Sequence, residues 1–229
     1  MNSIFLALEQ LRSHLSQVLP ATSGLRHFDV SFPLNDAFDP LAWLGEQQCY
    51  PQFYWQQRNG DEELAALGAV VQFSSLALAS QFLSAQHAPE DTRICGLNAF
   101  NPEQGSLFLP RLLWRRTAGN ATLRLQLWSD SSLEDDADTA RAFLQQLLPA
   151  RPIRPLSVQV ERETHHPEKP QWLSLIGKAT ETIARGDFEK VVLARATDLQ
   201  CKQRVNPVAL MAASRALNLN CYHFCMIFD

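Results

Sequence analysis

Between positions 121 and 129 the chain alternates strictly, with Leu123, Leu125 and Leu127 set against Arg124, Gln126 and Trp128. Successive side chains of an extended backbone point to opposite faces. The pattern therefore predicts a strand with one buried face and the other turned to water or to a second layer. A strand of this kind needs hydrogen-bonded neighbours and a cover for its apolar side. Its neighbours are legible nearby. Residues 52–58 have the aromatic content of a strand, and the turn signal Asn59-Gly60-Asp61 leads to a second strand at about 67–73. Residues 106–116 form another, joined to the first by a loop containing Gly119-Asn120.

The cover comes from helices. Ile4, Leu8, Leu11 and Leu15 fall at helical spacing within the first seventeen residues, ahead of Pro20. Glu9, Arg12 and His14 interrupt that stretch, so it does not read as a secretory signal. Ser74 or Ser75 is placed to cap a helix reaching about Gln86. Ser131 or Ser132 is placed to cap another that reaches about Leu148, with Glu134, Asp135 and Asp136 in its first turn. Pro149, Pro152 and Pro155 mark the best boundary in the chain. We therefore divide it into an N-terminal α/β region, 1–150, and a second region, 151–229.

The second region is expected to hold a short strand at 157–161 and the polar stretch 165–170. A helix from Gln171 follows, carrying Trp172, Leu175, Ile176, Ala179 and Ile183 on one face and stopping at the C′ glycine Gly186. Next comes a strand from Lys190 to about Leu199, then a helix with Asn206 as its cap and Pro207 at its first position. The apolar strand 222–228 ends the chain. A terminal strand of that character normally turns into a partner, so the sequence reads as the front part of something longer.

With 46% hydrophobic and 19% charged residues the chain has the composition of a folded protein, and no apolar run approaches the ~18 residues of a membrane span. A net charge of −4 argues against a general nucleic-acid binder. The five cysteines are scattered and lack a CxxC pair, which fits reduced thiols in the cytoplasm. No Gly-rich phosphate loop or GxSxG elbow occurs. Glu134, Asp135, Asp136 and Asp138 lack calcium-loop spacing and suit a helix N-terminus. Cys221, His223 and Cys225 alternate along the last strand. They read more simply as core residues than as an incomplete zinc set. His165-His166 reads as part of a solvated linker.

Lys190 is the candidate catalytic residue. Sixteen of the twenty basic residues are Arg and only four are Lys, so each Lys merits inspection. On the expected strand Lys190 shares a face with Val192, Ala194 and Ala196, small apolar neighbours that would keep water from its amine. Desolvation favours a neutral amine, which is a competent general base. The other reading is a lysine at a strand end with its head in solvent.

The segment Ile183-Ala-Arg-Gly-Asp-Phe-Glu-Lys-Val-Val-Leu-Ala-Arg195 resembles the signature of the chorismate-utilising enzymes: a helix, Gly-[Asp/Glu], then Lys-Val-Val-Leu-[Ala/Ser]-Arg. The stretches 51–63, 96–100, 109–116 and 217–224 narrow the resemblance to the menaquinone-specific isochorismate synthase branch, over essentially the whole chain. The resemblance implies an α/β (α+β) fold with stacked, largely antiparallel sheets and helices outside, here incomplete. In that light residues 151–229 are the start of a chorismate-binding catalytic region.

The resemblance also implies Mg²⁺-dependent conversion of chorismate to isochorismate. Lys190 matches the family's base, which activates water for attack at ring C2 while a glutamic acid protonates the departing C4 hydroxyl. The acid, the metal-binding glutamates and the groups that grip the substrate carboxylates belong to a part of the family pattern not matched here; Glu181 and Glu189 do not fit those motifs. The chain is thus expected to be inactive alone. Alternatives are a salicylate, anthranilate or aminodeoxychorismate synthase, or a non-catalytic binding module. Nucleic-acid and membrane partners are not expected, and the oligomeric state is open.

Overall fold

The computed structural model describes residues 3–17, 19–33, 38–117 and 119–229. In chain order its elements are α1 (Ser3–Leu15), β1 (Gly24–Pro33), α2 (Pro40–Glu46), β2 (Gln52–Gln56), β3 (Glu62–Phe73), α3 (Leu76–Ala85), β4 (Cys95–Asn98) and β5 (Gly105–Thr117). There follow β6 (Asn120–Ser129), α4 (Leu133–Gln145), β7 (Val160–His166), α5 (Lys169–Ala184), β8 (Ala196–Cys201), α6 (Pro207–Leu217) and β9 (His223–Ile227). They form two compact units, Met1–Pro155 with Pro207–Asp229, and Leu156–Asn206. The fold is mixed α/β and every strand pairing among the described residues is antiparallel.

The larger unit is built on a seven-stranded sheet in the order β1-β6-β5-β3-β2-β9. The strand β4 lies beside the first residues of β5, whose later residues pair with β6. The alternation in β6 behaves as a half-buried strand should. Leu123, Leu125 and Leu127 are wholly buried with Val30, Trp114, Ala65 and Tyr54. These sheet residues fall in register across five strands, Val30 opposite Leu123, Leu123 opposite Trp114, Trp114 opposite Ala65 and Ala65 opposite Tyr54. The apolar stripe of α1 meets them, as do α2, α4 and α6.

The opposite side of β6 is no water face. Arg124 and Gln126 are buried, and Trp128 meets Phe82 of α3 edge-on at 5.6 Å. The second-layer alternative is therefore the one realised, with charge pairing making it tolerable. The Arg124 guanidinium donates to both Asp29 and Asp91, and the same contact holds the Asp91 carboxyl below its usual range.

The helix ends follow from local chemistry. The Ser75 hydroxyl accepts from the Leu78 N–H and so caps α3. At α4 Ser132 takes the cap position without a side-chain bond. Asp136 in the first turn faces inward instead, accepting two bonds from Arg111 at 2.6 and 2.7 Å and one from the Trp128 N–H. One carboxylate thus ties α4 to β5 and β6.

Three elements went unread in the sequence: β1, α2 and β4. Their signals are short. Phe28, Val30 and Phe32 alternate in β1, and α2 opens with an Asp39 cap and Pro40 at its first turn.

The strand β3 starts at Glu62 rather than near Leu67, and it is bulged. Between Ala69 and Val71 the register with β5 shifts by one residue. Gly68 sits beside this shift with φ +63°, and a Cβ there would lie 2.9 Å from the Phe143 ring of α4. Both the backbone and the space call for glycine. We expect Gly68→Ala to lower the stability of the larger unit by about 1–3 kcal/mol. Urea unfolding followed by tryptophan fluorescence checks this, and an unchanged midpoint would contradict it.

Candidate functional site

In the 156–206 unit the helix α5 ends as the sequence predicts. Gly186 has φ +80°, its N–H donates to the Ile183 carbonyl, and the Asp187 N–H donates to that of Thr182. This pair of bonds is the Schellman closure, which needs a left-handed residue at C′. Arg185 then donates to the Asp187 carboxylate across the glycine. The turn delivers the chain to Lys190.

From there the structure departs from expectation. The predicted strand at 190–199 begins only at Ala196, because β7 offers ladder partners from Ala196 to Cys201 and to nothing earlier. Residues 190–195 have no strand neighbour. Lys190 is exposed, makes no hydrogen bond or ion pair with the described residues, and is flanked by exposed Val191 and Val192. The apolar neighbours expected to shield the amine are present in sequence, but none of the described residues closes over them. At the far end of the segment Arg195 donates to the Pro167 carbonyl at 3.1 Å.

The His165-His166 pair is not linker, because β7 is Val160–His166 rather than the expected 157–161. His165 shares a hydrogen bond with Thr197, and His166 lies 3.1 Å from Asp198. These contacts cross the β7–β8 pair and hold its register.

The alternation of Cys221, His223 and Cys225 is only partly realised. Cys221 precedes β9 and is exposed, His223 is buried against the Asn218 carbonyl, and Cys225 is half-buried in the main core. Among the described residues no group of three or more His, Cys, Asp or Glu is placed to hold a metal ion. Of the acidic run, Asp136 serves Arg111 and Asp138 pairs with Arg141. No helix among the described residues is long and apolar enough to cross a membrane.

The polar cluster that sequence reading missed lies in the larger unit. Arg215 of α6 donates to Asp39 at 2.8 Å and to the Tyr54 hydroxyl at 2.9 Å, while Tyr54 donates to Glu63 at 2.5 Å. Glu63 also pairs with Arg116 at 2.9 Å. Burial and the Glu63 charge push the Tyr54 phenol far above its usual range, so it stays a proton donor. Every charge here has a partner, which marks the cluster as a structural tie from α6 to α2, β2 and β3. Its members stand up to 176 positions apart, so no local motif announces them. We expect Arg215→Ala to cost about 2–3 kcal/mol by leaving Glu63 and Asp39 short of a donor. Urea unfolding and hydrogen exchange at α6 check this; wild-type protection of α6 would refute it.

A cavity of about 1180 Å³ opens between α3, β3, β5 and the β9 end, lined by Gln72, Phe73, Gln81, Phe82, Leu107 and Met226 among others. Besides Asp229 and Tyr50 its lining is amides, hydroxyls and apolar side chains, and Lys190 does not line it.

The profile of the chorismate binding enzymes matches residues 23–228. Isochorismate synthase MenF of Escherichia coli (strain K12) is 57% identical over 229 residues, which is 100% of this chain and 53% of that protein. MenF of Haemophilus influenzae is 31% identical over 219 residues, 95% of this chain and 48% of that protein. The solved structure of MenF, the menaquinone-specific isochorismate synthase from Escherichia coli, matches with a TM-score of 0.90, covering 100% of this chain and 53% of that one. The chain spans about half the length of the curated relatives it matches. By sequence and by fold it belongs to the chorismate-binding enzyme family, as a homologue of its isochorismate synthases.

Proposed function

We propose that this chain supplies the lysine-bearing part of an isochorismate synthase, converting chorismate to isochorismate for menaquinone synthesis in the cytoplasm. The observation that carries the reading is the likeness to an isochorismate synthase at 57% identity over the whole chain, with Lys190 inside the Gly186–Arg195 signature. On this reading residues 151–229 begin the catalytic region and residues 1–150 are its α/β neighbour.

The reaction exchanges one hydroxyl position for another and is balanced by one water in and one water out. The Lys190 amine takes a proton from water as the water oxygen bonds to ring C2. Both ring double bonds shift, from C1=C2 to C1=C6 and from C5=C6 to C4=C5, as the C–O bond at C4 breaks. The departing hydroxyl takes a proton from a carboxylic acid and leaves as water. A lysine does this only as the neutral amine, which removal from water favours. Lys190 is exposed here, and among the described residues no group of three or more His, Cys, Asp or Glu is placed to hold Mg²⁺. The acid, the Mg²⁺ ligands and the cover over Lys190 are therefore assigned to the half of the relatives that this chain does not match.

The test joins this chain to that half of the Escherichia coli enzyme in one polypeptide and follows chorismate by chromatography with Mg²⁺ present. Isochorismate is the expected product. Lys190→Ala should reduce turnover by about 10³-fold with the fold unchanged by circular dichroism. Anthranilate formed with ammonium, or near-normal turnover by Lys190→Ala, would overturn the assignment. The chain by itself should give no product.

A further inference from the structure

The segment that carries Lys190 is held at both ends of α5. At the helix C-terminus the Gly186 closure and the Arg185–Asp187 pair fix where it starts. Near the helix N-terminus, Ala196 stands opposite His166 at the end of the β7–β8 ladder. The sixteen residues of α5 span about 24 Å. The return run Asp187–Ala196 reaches only roughly 33 Å when fully extended. It has little slack, and no turn or bend interrupts 190–195.

Extended backbone sends successive side chains to opposite faces. Val191, Leu193 and Arg195 therefore lie on one face of this run, and Lys190, Val192 and Ala194 on the other. The two faces differ in their surroundings. Leu193 is half-buried and Val191 is 44% exposed, whereas Val192 is 91% exposed. The face of Arg195 leans on its own unit, and the face of Lys190 is turned away from it.

One side chain bond bears on that roll. Residues 190–195 have no ladder partner, so the pairing at Ala196 places the backbone beyond them without setting how they turn about their own axis. The Arg195 Nε donates to the Pro167 carbonyl, 28 positions away, at 3.1 Å. Because the guanidinium reaches toward the start of α5, a residue at an odd separation along the run points the other way. Lys190 is such a residue.

We propose that Arg195 is a positioning residue for Lys190, its bond to the Pro167 carbonyl fixing the roll of 190–195 so that the amine faces the substrate. This rests on the function proposed above. Arg195 lies on the opposite face of the run, so it acts through the lysine and makes no contact with the substrate itself.

The test uses the single joined polypeptide and follows chorismate turnover with Mg²⁺ present. Arg195→Ala should lower kcat about 10- to 100-fold, the scale of a reacting group misplaced by about 1 Å, with KM within about threefold of the unsubstituted protein. Arg195→Lys keeps an N–H donor and should recover most of that loss. In a Lys190→Ala background, Arg195→Ala should cost less than about twofold more, because nothing is left for it to position. Circular dichroism should be unchanged throughout.

A KM raised about tenfold or more with kcat retained would overturn the proposal in favour of a direct substrate contact. Losses that multiply in the double variant would overturn it in favour of a general structural role, and so would circular dichroism lost in both Arg195 variants. Near-normal turnover by Arg195→Ala, in a polypeptide that Lys190→Ala inactivates, would sink the positioning role and leave the proposed function standing. No isochorismate from the unsubstituted polypeptide would overturn both.

Discussion

The larger unit depends on one constraint: the apolar face of its antiparallel sheet has to be covered. Leu123, Leu125 and Leu127 of β6 have no exposed surface, and each fully buried leucine contributes roughly 1.5–3 kcal/mol. That gain requires α1 and α4 to lie over β6 and α2 and α6 to lie toward β2 and β9. The in-register row from Val30 to Tyr54 shows how the burial is shared. Each strand contributes a residue to the same stripe, so a one-residue slip in any pairing would turn its side chains to the wrong face.

Hydrophobic burial does not by itself set direction, and ion pairs, one of them buried and the others partly exposed, supply the rest. Arg111 and Asp136 fix where α4 meets the sheet, Arg124 draws Asp29 and Asp91 together, and Arg215 brings α6 back to α2, β2 and β3. Each is arginine with carboxylate, a geometry in which two parallel bonds define an angle as well as a distance. This accounts for the Arg-rich basic set of the chain better than any nucleic-acid role would. It also explains how residues after position 207 belong to a unit that begins with α1.

The 156–206 unit shows what local structure looks like without such a cover. Its helix closes correctly at Gly186 and its two strands pair, because capping and laddering are satisfied by residues close in sequence or by one partner strand. Its apolar face stays in water. Lys190, the base proposed above, shares that condition: no described residue forms a layer over it or its small neighbours.

Much of the fold was legible by period and punctuation. The leucine alternation of β6, the stripe of α1, the Ser75 cap and the Gly186 stop all act over a few residues, and each appears where the chain predicts it. The limits of β3 and β8 were not legible. A strand ends where its partner ends, and the partner is chosen by tertiary packing. The Arg215 cluster was invisible for the same reason, being assembled from residues far apart in the chain. The sequence by itself determined the family, the candidate base and the order of most elements, because identity and local periodicity are properties of the chain. Only the tertiary structure decided which faces are covered, which charges meet and whether Lys190 is sheltered, since burial is a property of neighbours brought together from a distance.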